Sequence, residues 1–449
     1  MAFTRFKIRS TLRGIIINAG WLFVLRTGRV LFALFVGVWV ARYLGPARFG
    51  DFSYALAFVA LFVPLTTLGL EAVVVRDLVR EPRARDEILG TAFLLRMCGG
   101  LLSVVMILVV IALIRAQDVL VRTLTGIVTI GIVFQAFDTI DIWFQSRVES
   151  KYPVYARFAA LVLANVAKIV LIVRGAPLVA FAWVAVFEMV MTAAGLVVTY
   201  RACGFFITAW RASLSRARSL LGQSWALVLS GVLALIYLKI DQVMLGEMSG
   251  NEAVGIYSTA VRISEVWYFV PVAITSSIFP ALIRSREMGG GIYRKRLQQL
   301  YDFLVWIALG VAVVMTFTAN RLVVILFGEA YAASGPILAI HVWAGIFVFL
   351  KAALGRWLLN EGLLHFLFVS NSVGAAANVV LNLFLIPAYG GVGAAIATVI
   401  SYAAAGYVAC FLTPGTREAG RMLSLALVVP VRAVIRLVRG GDRREDGTE

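Results

Sequence analysis

Residues 45–55 read GPARFGDFSYA, and residues 250–260 read GNEAVGIYSTA. At a constant offset of 205, the two segments share two glycines, an aromatic residue, a serine and an alanine. A weaker echo, at an offset of 213, pairs an Asn-Val dipeptide and a later valine in each half: Asn165, Val166 and Val179 with Asn378, Val379 and Val392. Two matches that occur in the same order indicate a duplicated unit.

The composition around these segments indicates a membrane protein. Of the 449 residues, 61% are hydrophobic and 14% are charged, whereas a soluble globular chain is about half apolar and about a quarter charged. A spanning helix needs about 20 apolar residues, so that a helix with its connection takes roughly 35–40. The sequence therefore predicts an all-α polytopic membrane protein with about twelve transmembrane helices.

The distribution of cations supports this number and gives an orientation. If the N-terminus is cytoplasmic and the chain crosses twelve times, 28 of the 41 Lys and Arg residues fall in cytoplasmic segments, 6 on the other side and 7 inside helices. Lys and Arg accumulate in cytoplasmic loops of membrane proteins, and an odd number of crossings would scramble the asymmetry. We therefore expect both termini to be cytoplasmic.

The repeat and the helix count together predict the domain organisation. Six crossings return the chain to its starting side, so two six-helix repeats run in parallel and are related by an axis along the membrane normal, with a central cavity between them. We predict an N-terminal lobe over 1–213, a C-terminal lobe over 214–414 and a cytoplasmic tail over 415–449. Arginines at helical spacing in the tail predict an amphipathic helix on the anionic inner leaflet. A cavity between two bundles is typical of a transporter.

Four cations inside predicted helices are candidate substrate-binding residues of the central cavity. Arg26 and Arg29 lie three apart and share a face of the first helix, while Arg262 and Lys351 lie in the second half. An ionised side chain at the bilayer centre costs roughly 2.5–3.5 kcal/mol, so each one needs a reason. A cavity with net positive charge selects an anion, and arginine binds phosphate or pyrophosphate through paired hydrogen bonds.

The other charges inside helices have different interpretations. Glu188, Asp241 and Glu265 are candidates for coupling transport to H⁺ or Na⁺. We expect the remaining charges to form structural ion pairs or to extend to the headgroups; they are Arg96, Lys168, Lys239, Asp138 and Asp141.

Several classes of function are excluded by the sequence pattern. There is no phosphate-binding P-loop, no HExxH zinc motif and no plausible nucleophile–base pair, so we predict no catalytic residues and no enzyme. The three cysteines are far apart and the two histidines stand alone, so we predict no metal site and no bound cofactor. The cations do not cluster on a soluble domain, which argues against nucleic acid as a partner.

Several motifs resemble those of a known family. The segment 240–246 (IDQVMLG), the segment 254–258 (VGIYS), Arg262 and Phe279-Pro280 resemble the polysaccharide transporters of the MATE-like flippase superfamily, as does the N-terminal segment 43–50. The Wzx-type O-antigen and repeat-unit flippases are most similar, over about residues 14–413. The resemblance implies a V-shaped pair of six-helix lobes in the inner (cytoplasmic) membrane that alternates access. It also implies an undecaprenyl-pyrophosphate-linked oligosaccharide as cargo and, as a further partner beside membrane lipids, the polysaccharide polymerase machinery.

Two other transport functions stay open at this point. Flippases of the peptidoglycan lipid precursor share the superfamily but usually carry two extra helices, where this chain has a predicted surface helix. A cation-coupled multidrug exporter of the MATE type is the other alternative. The charge of the cavity distinguishes the oligosaccharide flippase from the drug exporter, because arginines suit a pyrophosphate and carboxylates suit a cationic drug.

Overall fold

The structure, a computed structural model, describes residues 2–149, 151–287, 290–363 and 365–429, with the side chains of 2–27, 29–31, 280, 281, 286 and 287 left undescribed. The described residues form helices and turns, without strands. In chain order the α-helices are α1 (Ala2–Ala60), α2 (Val63–Thr67), α3 (Leu70–Arg80), α4 (Arg85–Ile114), α5 (Val119–Ile132), α6 (Thr139–Ser146), α7 (Lys151–Val173), α8 (Leu178–Ala202), α9 (Leu214–Ser249), α10 (Asn251–Glu265), α11 (Phe269–Glu287), α12 (Gly290–Phe327), α13 (Ser334–His341), α14 (Ala344–Asn360) and α15 (Phe366–Gly406).

Nine stretches of the described chain are long and apolar enough to cross a membrane. Two of these, Phe32–Arg80 and Phe366–Phe411, have 49 and 46 residues, and each is long enough for two crossings of about 20 residues. Each contains a glycine with a non-helical backbone, Gly45 (φ 72°) and Gly390 (φ 55°). The chain is therefore an all-helical, multi-pass membrane protein, and its elements are consistent with the twelve predicted helices.

The helix boundaries follow from local chemistry. At Gly45 the positive φ is accessible because the residue has no Cβ, and Pro46 directly after it has no backbone N–H to continue a helix. At the start of α5, the Asp118 carboxylate accepts a hydrogen bond from the backbone N–H of Val121 at 3.0 Å. Such a cap satisfies a backbone donor that the first helical turn leaves without a partner.

The two halves of the chain meet at one end of the molecule, the shared end. Its hydrophobic core contains residues of both halves, such as Phe49 and Tyr257, which are almost fully buried. A charged contact crosses the same end, where Arg115 Nε lies 2.7 Å from a carboxylate oxygen of Glu247. Apolar burial and an ion pair thus both hold the halves together here.

The repeated glycines form a close backbone contact at the shared end. A Cβ built on Gly50 would lie 1.7 Å from the carbonyl oxygen of Asn251, and a Cβ built on Gly255 would lie 2.0 Å from the carbonyl oxygen of Pro46. No side chain fits at such distances, so the two backbones touch because both positions are glycine. The motif that indicates the duplication in the sequence is thus one of the places where the halves touch.

Adding a methyl group at this contact is expected to destabilise the protein. Gly50→Ala places a Cβ against the backbone of α10, which cannot move aside as a flexible side chain can. We expect a loss of about 1–3 kcal/mol, the usual cost of overpacking, measured as a lower unfolding temperature in detergent. Gly222→Ala on α9 is the matched control, because its Cβ would meet no atom within 4 Å; equal unfolding temperatures for both variants would contradict the prediction.

At the opposite end, the split end, each half has a core of its own. One core is formed by buried residues between 70 and 220, and the other by buried residues between 282 and 426. Helix α9 contacts both halves: near its start Arg216 lies 2.7 Å from Glu81, and its later turns pack on α15. The predicted boundary between 213 and 214 coincides with the start of α9, and the division into two six-helix lobes stays a prediction.

The described part of the predicted tail is a helix over 417–429. It packs on the second core of the split end through the fully buried Ala419, Leu423 and Ala426, and Glu418 lies 2.6 Å from Arg294. Residues 430–449 carry the arginines from which a surface helix is predicted, and they lie outside the described residues. The surface helix therefore stays a prediction.

Candidate functional site

A cavity of about 950 Å³ lies between the two halves. It is lined by α1, α2, the turn Val133–Asp138, α7 and α8 from the first half, and by α9 and α10 from the second. Its volume is near the upper end of the roughly 300–1,000 Å³ found for ligand pockets. The predicted central cavity is therefore present between the halves, with most of its wall supplied by the first half.

Ion pairs neutralise most of the charge in this cavity. Lys168 on α7 lies 3.5 Å from Glu188 on α8, and Lys239 on α9 lies 3.5 Å from Glu265 on α10. Arg157 on α7 forms a third pairing with two aspartates near the split end. The structural pairing expected for Lys168 and Lys239 is therefore what the structure shows, although both residues also line the cavity.

Arg262 is different from these paired cations. Within the described part of the chain, the structure shows no carboxylate within ion-pair distance of its guanidinium. The group lies 5.3 Å from the centre of the Phe49 ring, a cation–π distance. It also rests on Gly37 of α1, where a Cβ would be only 2.0 Å from Arg262 Nη1. The glycine therefore gives the guanidinium room at the seam between α1 and α10, and the charge is available to a ligand.

Of the other candidate cations, the described residue Lys351 does not line the cavity that Arg262 faces. Lys351 lies in a separate pocket of about 250 Å³ within the second half, where its Nζ donates hydrogen bonds to Tyr237 (2.8 Å) and Asn371 (3.0 Å). The side chains of Arg26 and Arg29 lie outside the described residues. The structure therefore supports a cavity position for Arg262 and places Lys351 elsewhere.

The three candidate coupling carboxylates fall into two environments. Glu188 and Glu265 line the cavity and are paired with lysines. Asp241 is only 3% exposed and lies inside the second half. Its carboxylate accepts hydrogen bonds from the hydroxyl of Tyr257 and, at 3.3 Å, from that of Thr398.

A buried polar cluster continues from Asp241 through α15. The Ser401 hydroxyl donates to the carbonyl of Thr398 at 3.0 Å and accepts from the side-chain amide of Asn378 at 3.2 Å. The Asn382 side-chain amide donates to Oδ1 of Asn378 at 2.9 Å, and its own Oδ1 is buried without a hydrogen-bond partner among the described residues. One carboxylate, two amide oxygens and hydroxyls therefore lie together in an apolar surrounding, which is unusual unless the group has a ligand or a role.

One face of α7 is a cavity wall that is not among the predicted site residues. Arg157, Leu161, Asn165 and Lys168 recur at helical spacing, and all four line the cavity. Polar residues at this spacing in an otherwise apolar helix are the signal that could have identified them. Arg157 is one of the 28 cations counted in cytoplasmic segments, because it lies close to the predicted start of its helix.

Comparison with known protein families shows the family to which the chain belongs. Residues 15–286, more than half of the chain, match the family model described as polysaccharide biosynthesis protein. The chain belongs to this family. The predicted resemblance to polysaccharide transporters is therefore confirmed at the level of the family.

Two curated relatives from Haloferax volcanii match a part of the chain. They are named probable low-salt glycan biosynthesis flippase Agl15, with 25% identity over 199 residues, and probable flippase AglR, with 29% identity over 201 residues. The matched part covers 42% of this family member and 41% of each relative. The chain thus matches about two fifths of the length of these relatives.

Solved structures show the fold of the family member over nearly its whole length. A lipid II flippase in an inward closed conformation superposes with a TM-score of 0.68 at 12% identity, over 90% of both chains. An inward-facing multidrug resistance transporter of the MATE family gives 0.67 at 16% identity, over 88% of this chain and 95% of that one. The MATE-like flippase fold predicted from the sequence is therefore confirmed.

Proposed function

We propose that the protein is a flippase for a lipid-linked oligosaccharide and moves the glycan headgroup across the membrane by alternating access. The observation that carries the proposal is the Arg262 guanidinium, which faces a large cavity between the halves without a carboxylate partner among the described residues. The family and the flippase names of its relatives support a glycan on a lipid carrier as cargo. A transporter of this kind performs no covalent chemistry, so we propose no enzymatic activity.

The cargo that suits this cavity is an oligosaccharide on undecaprenyl pyrophosphate. Arginine offers a planar set of N–H donors that matches phosphate oxygens in pairs. The sugar would contact the polar and aromatic wall residues, such as Gln135, Asn165 and Phe134. The polyprenyl chain is as apolar as the lipid tails, so it gains nothing from leaving the bilayer. The polysaccharide polymerase machinery is proposed as the consumer of the flipped cargo.

The direction of transport follows from the proposed orientation. Two ion pairs support this orientation, because each joins loops that the cation count assigns to the same side of the membrane. Arg216 binds Glu81 at the split end, whereas Arg115 binds Glu247 at the shared end. The split end collects the cation-rich segments, so we propose that it faces the cytoplasm in the inner membrane, with both termini on that side. Cargo then enters at the split end and leaves on the periplasmic side.

Asp241 is the group that we propose for ion coupling. A carboxylate, amide oxygens and hydroxyls are ligands for a hard cation such as Na⁺, and a buried carboxylate is equally a site for a proton. The unpartnered oxygen of Asn382 in the same cluster supports a role beyond structure. Glu188 and Glu265 are less suited, because each is already paired with a lysine.

A multidrug exporter is the second candidate, and one observation favours it. Three carboxylates, Asp138, Glu188 and Glu265, line the cavity, and a cationic drug would bind to carboxylates. Each of them, however, already has a basic partner within 4 Å. A peptidoglycan lipid-precursor flippase would recognise the same pyrophosphate anion as our proposal, and its cargo differs in the headgroup, which is a sugar that carries a peptide.

The phenotype of a strain that lacks the gene distinguishes the proposed flippase from the two alternative transporters. We expect a deletion strain to accumulate a glycan-bearing pyrophosphate lipid on the cytoplasmic side and to lose its surface polysaccharide, because the cargo cannot cross. Mass spectrometry of the extracted polyprenyl lipids measures the accumulation and identifies the glycan, including a peptidoglycan precursor. Normal lipids and normal surface glycan, together with new sensitivity to cationic dyes, would instead establish the exporter.

A further inference from the structure

Arg96 on α4 is a buried arginine with two unpartnered nitrogens. Its side chain is 3% exposed, and neither Nε nor Nη1 has a hydrogen-bond partner among the described residues. A buried charge without a partner is among the most costly features of a folded protein. Such a group requires an explanation. One explanation is that a second conformation of the protein supplies the missing hydrogen-bond acceptor.

A candidate for the missing partner lies in the turn that packs against the Arg96 face of α4. Phe93 and Gly100 lie on the same face of α4 as Arg96, and both contact the turn Val133–Asp138. The rings of Phe93 and Phe137 are 5.1 Å apart, and a Cβ on Gly100 would lie 3.4 Å from the Cα of Val133. Arg96 therefore faces this turn, and Asp138 is the last residue of the turn.

Asp138 is engaged on its other side by Arg157. Arg157 Nη2 lies 2.7 Å from Asp138 and 2.9 Å from Asp141. Both Arg157 and Asp138 line the cavity, whereas Arg96 is buried behind them. One guanidinium thus holds two carboxylates while the neighbouring guanidinium holds none, although one carboxylate for each arginine would satisfy all four groups.

We propose that Asp138 is an exchangeable carboxylate, which pairs with Arg157 in the structure and transfers to Arg96 when an anionic group of the cargo binds Arg157. This inference rests on the proposed function, because it takes the cargo to be anionic. Arg157 then becomes a second cargo-binding cation, in the first half, and Arg96 becomes a positioning residue that acts through Asp138.

The exchange follows from the charges of the four groups. With both aspartates on Arg157, this cluster of three residues at the cavity wall has a net negative charge, and an incoming phosphate is repelled. Moving Asp138 to Arg96 satisfies the buried donors and leaves Arg157 with Asp141 alone, so a phosphate can bind. Cargo shifts the equilibrium because it binds one arrangement more tightly than the other.

A double-mutant cycle with a defined probe tests the exchange. Inorganic pyrophosphate is titrated into the full-length protein in lipid nanodiscs, and its Kd is measured by calorimetry for wild type, D138N, R96Q and the double variant. We expect D138N to tighten binding about tenfold, because one charged competitor for Arg157 is removed. We expect R96Q to weaken binding about tenfold in the wild-type background, because the displaced carboxylate then has no partner.

The decisive comparison is R96Q in the D138N background. The exchange predicts that R96Q has almost no effect there, because no carboxylate remains to be moved, whereas a purely structural or long-range effect of Arg96 would be equal in both backgrounds. Equal effects, or none in either background, would overturn the exchange while leaving the anion site in place. If R96Q does not fold, R96K, which keeps the charge but loses the paired donors, is measured in the same two backgrounds. No binding of pyrophosphate by wild type would overturn the anion site and the exchange together.

Discussion

Arg262→Ala is expected to abolish glycan export while the protein stays inserted in the membrane. The guanidinium faces the cavity between α1 and α10 and has no carboxylate to neutralise it within the described residues. Its removal takes away the charge proposed to hold the pyrophosphate, but leaves no buried acid unpaired. Charge-assisted hydrogen bonds are worth about 1.5–3 kcal/mol each, so the loss of a pair should lower cargo affinity at least about a hundredfold. Surface polysaccharide in a complemented deletion strain measures export.

Two further variants make this test specific. Arg122→Ala is the matched control, because Arg122 is exposed at the start of α5 and does not line the cavity; we expect normal export from it. Arg26→Ala tests the sequence prediction for the first helix and is expected to lose export as well. Full export in Arg262→Ala, in Arg26→Ala and in the double variant would rule out the pyrophosphate site.

Asp241→Asn is expected to stop transport without preventing cargo binding. The amide has nearly the same shape as the carboxylate, and its oxygen can still accept from Tyr257 and Thr398. Only the hydrogen bond from the backbone N–H of Gln242 to the other oxygen is lost, so the second half should fold. It cannot take up a proton and binds a cation only weakly, so the proposed coupling to an ion gradient is lost. We expect the flipping rate in proteoliposomes with an imposed Na⁺ or H⁺ gradient to fall more than about tenfold, with pyrophosphate binding unchanged.

A carboxylate outside the polar cluster provides the control. Asp302 on α12 accepts a hydrogen bond from Gln298 at 2.7 Å and lies outside the cavity lining. Asp302→Asn should keep both the rate and its dependence on the gradient. If Asp241→Asn flips cargo at the wild-type rate with the same ion dependence, Asp241 is not the coupling group. Loss of binding together with transport would instead indicate a structural role.

Much of the fold could be predicted because its causes are local or periodic. Apolar stretches of helical length specify a membrane protein without reference to tertiary contacts. The repeat at Gly50 and Gly255 indicates a duplication. The alternation of cations predicts which loops lie on the same side of the membrane, and two loops predicted to share a side are in contact through Arg216 and Glu81. These features depend on composition and spacing, which a single sequence contains.

The composition of the site was harder to predict, because it depends on which face each helix turns inward. Lys351 has the same intramembrane character as Arg262, but α14 directs it to Tyr237 and Asn371 in a separate pocket. Arg157 resembles a loop cation in the sequence, yet its long side chain reaches the cavity and two aspartates. Helix rotation and side-chain reach are set by packing, and no spacing rule gives them.

The contact between the repeated glycines has a further consequence. Pro46 and Asn251 occupy the same place in the two motifs, as do Gly50 and Gly255. Gly50 touches Asn251 of the second motif, and Gly255 touches Pro46 of the first. That reciprocity is the pattern of an isologous interface, in which two identical subunits bury the same patch against each other. A six-helix ancestor carrying one such motif could therefore have formed a twofold homodimer, and fusion of its two copies would have preserved the seam unchanged.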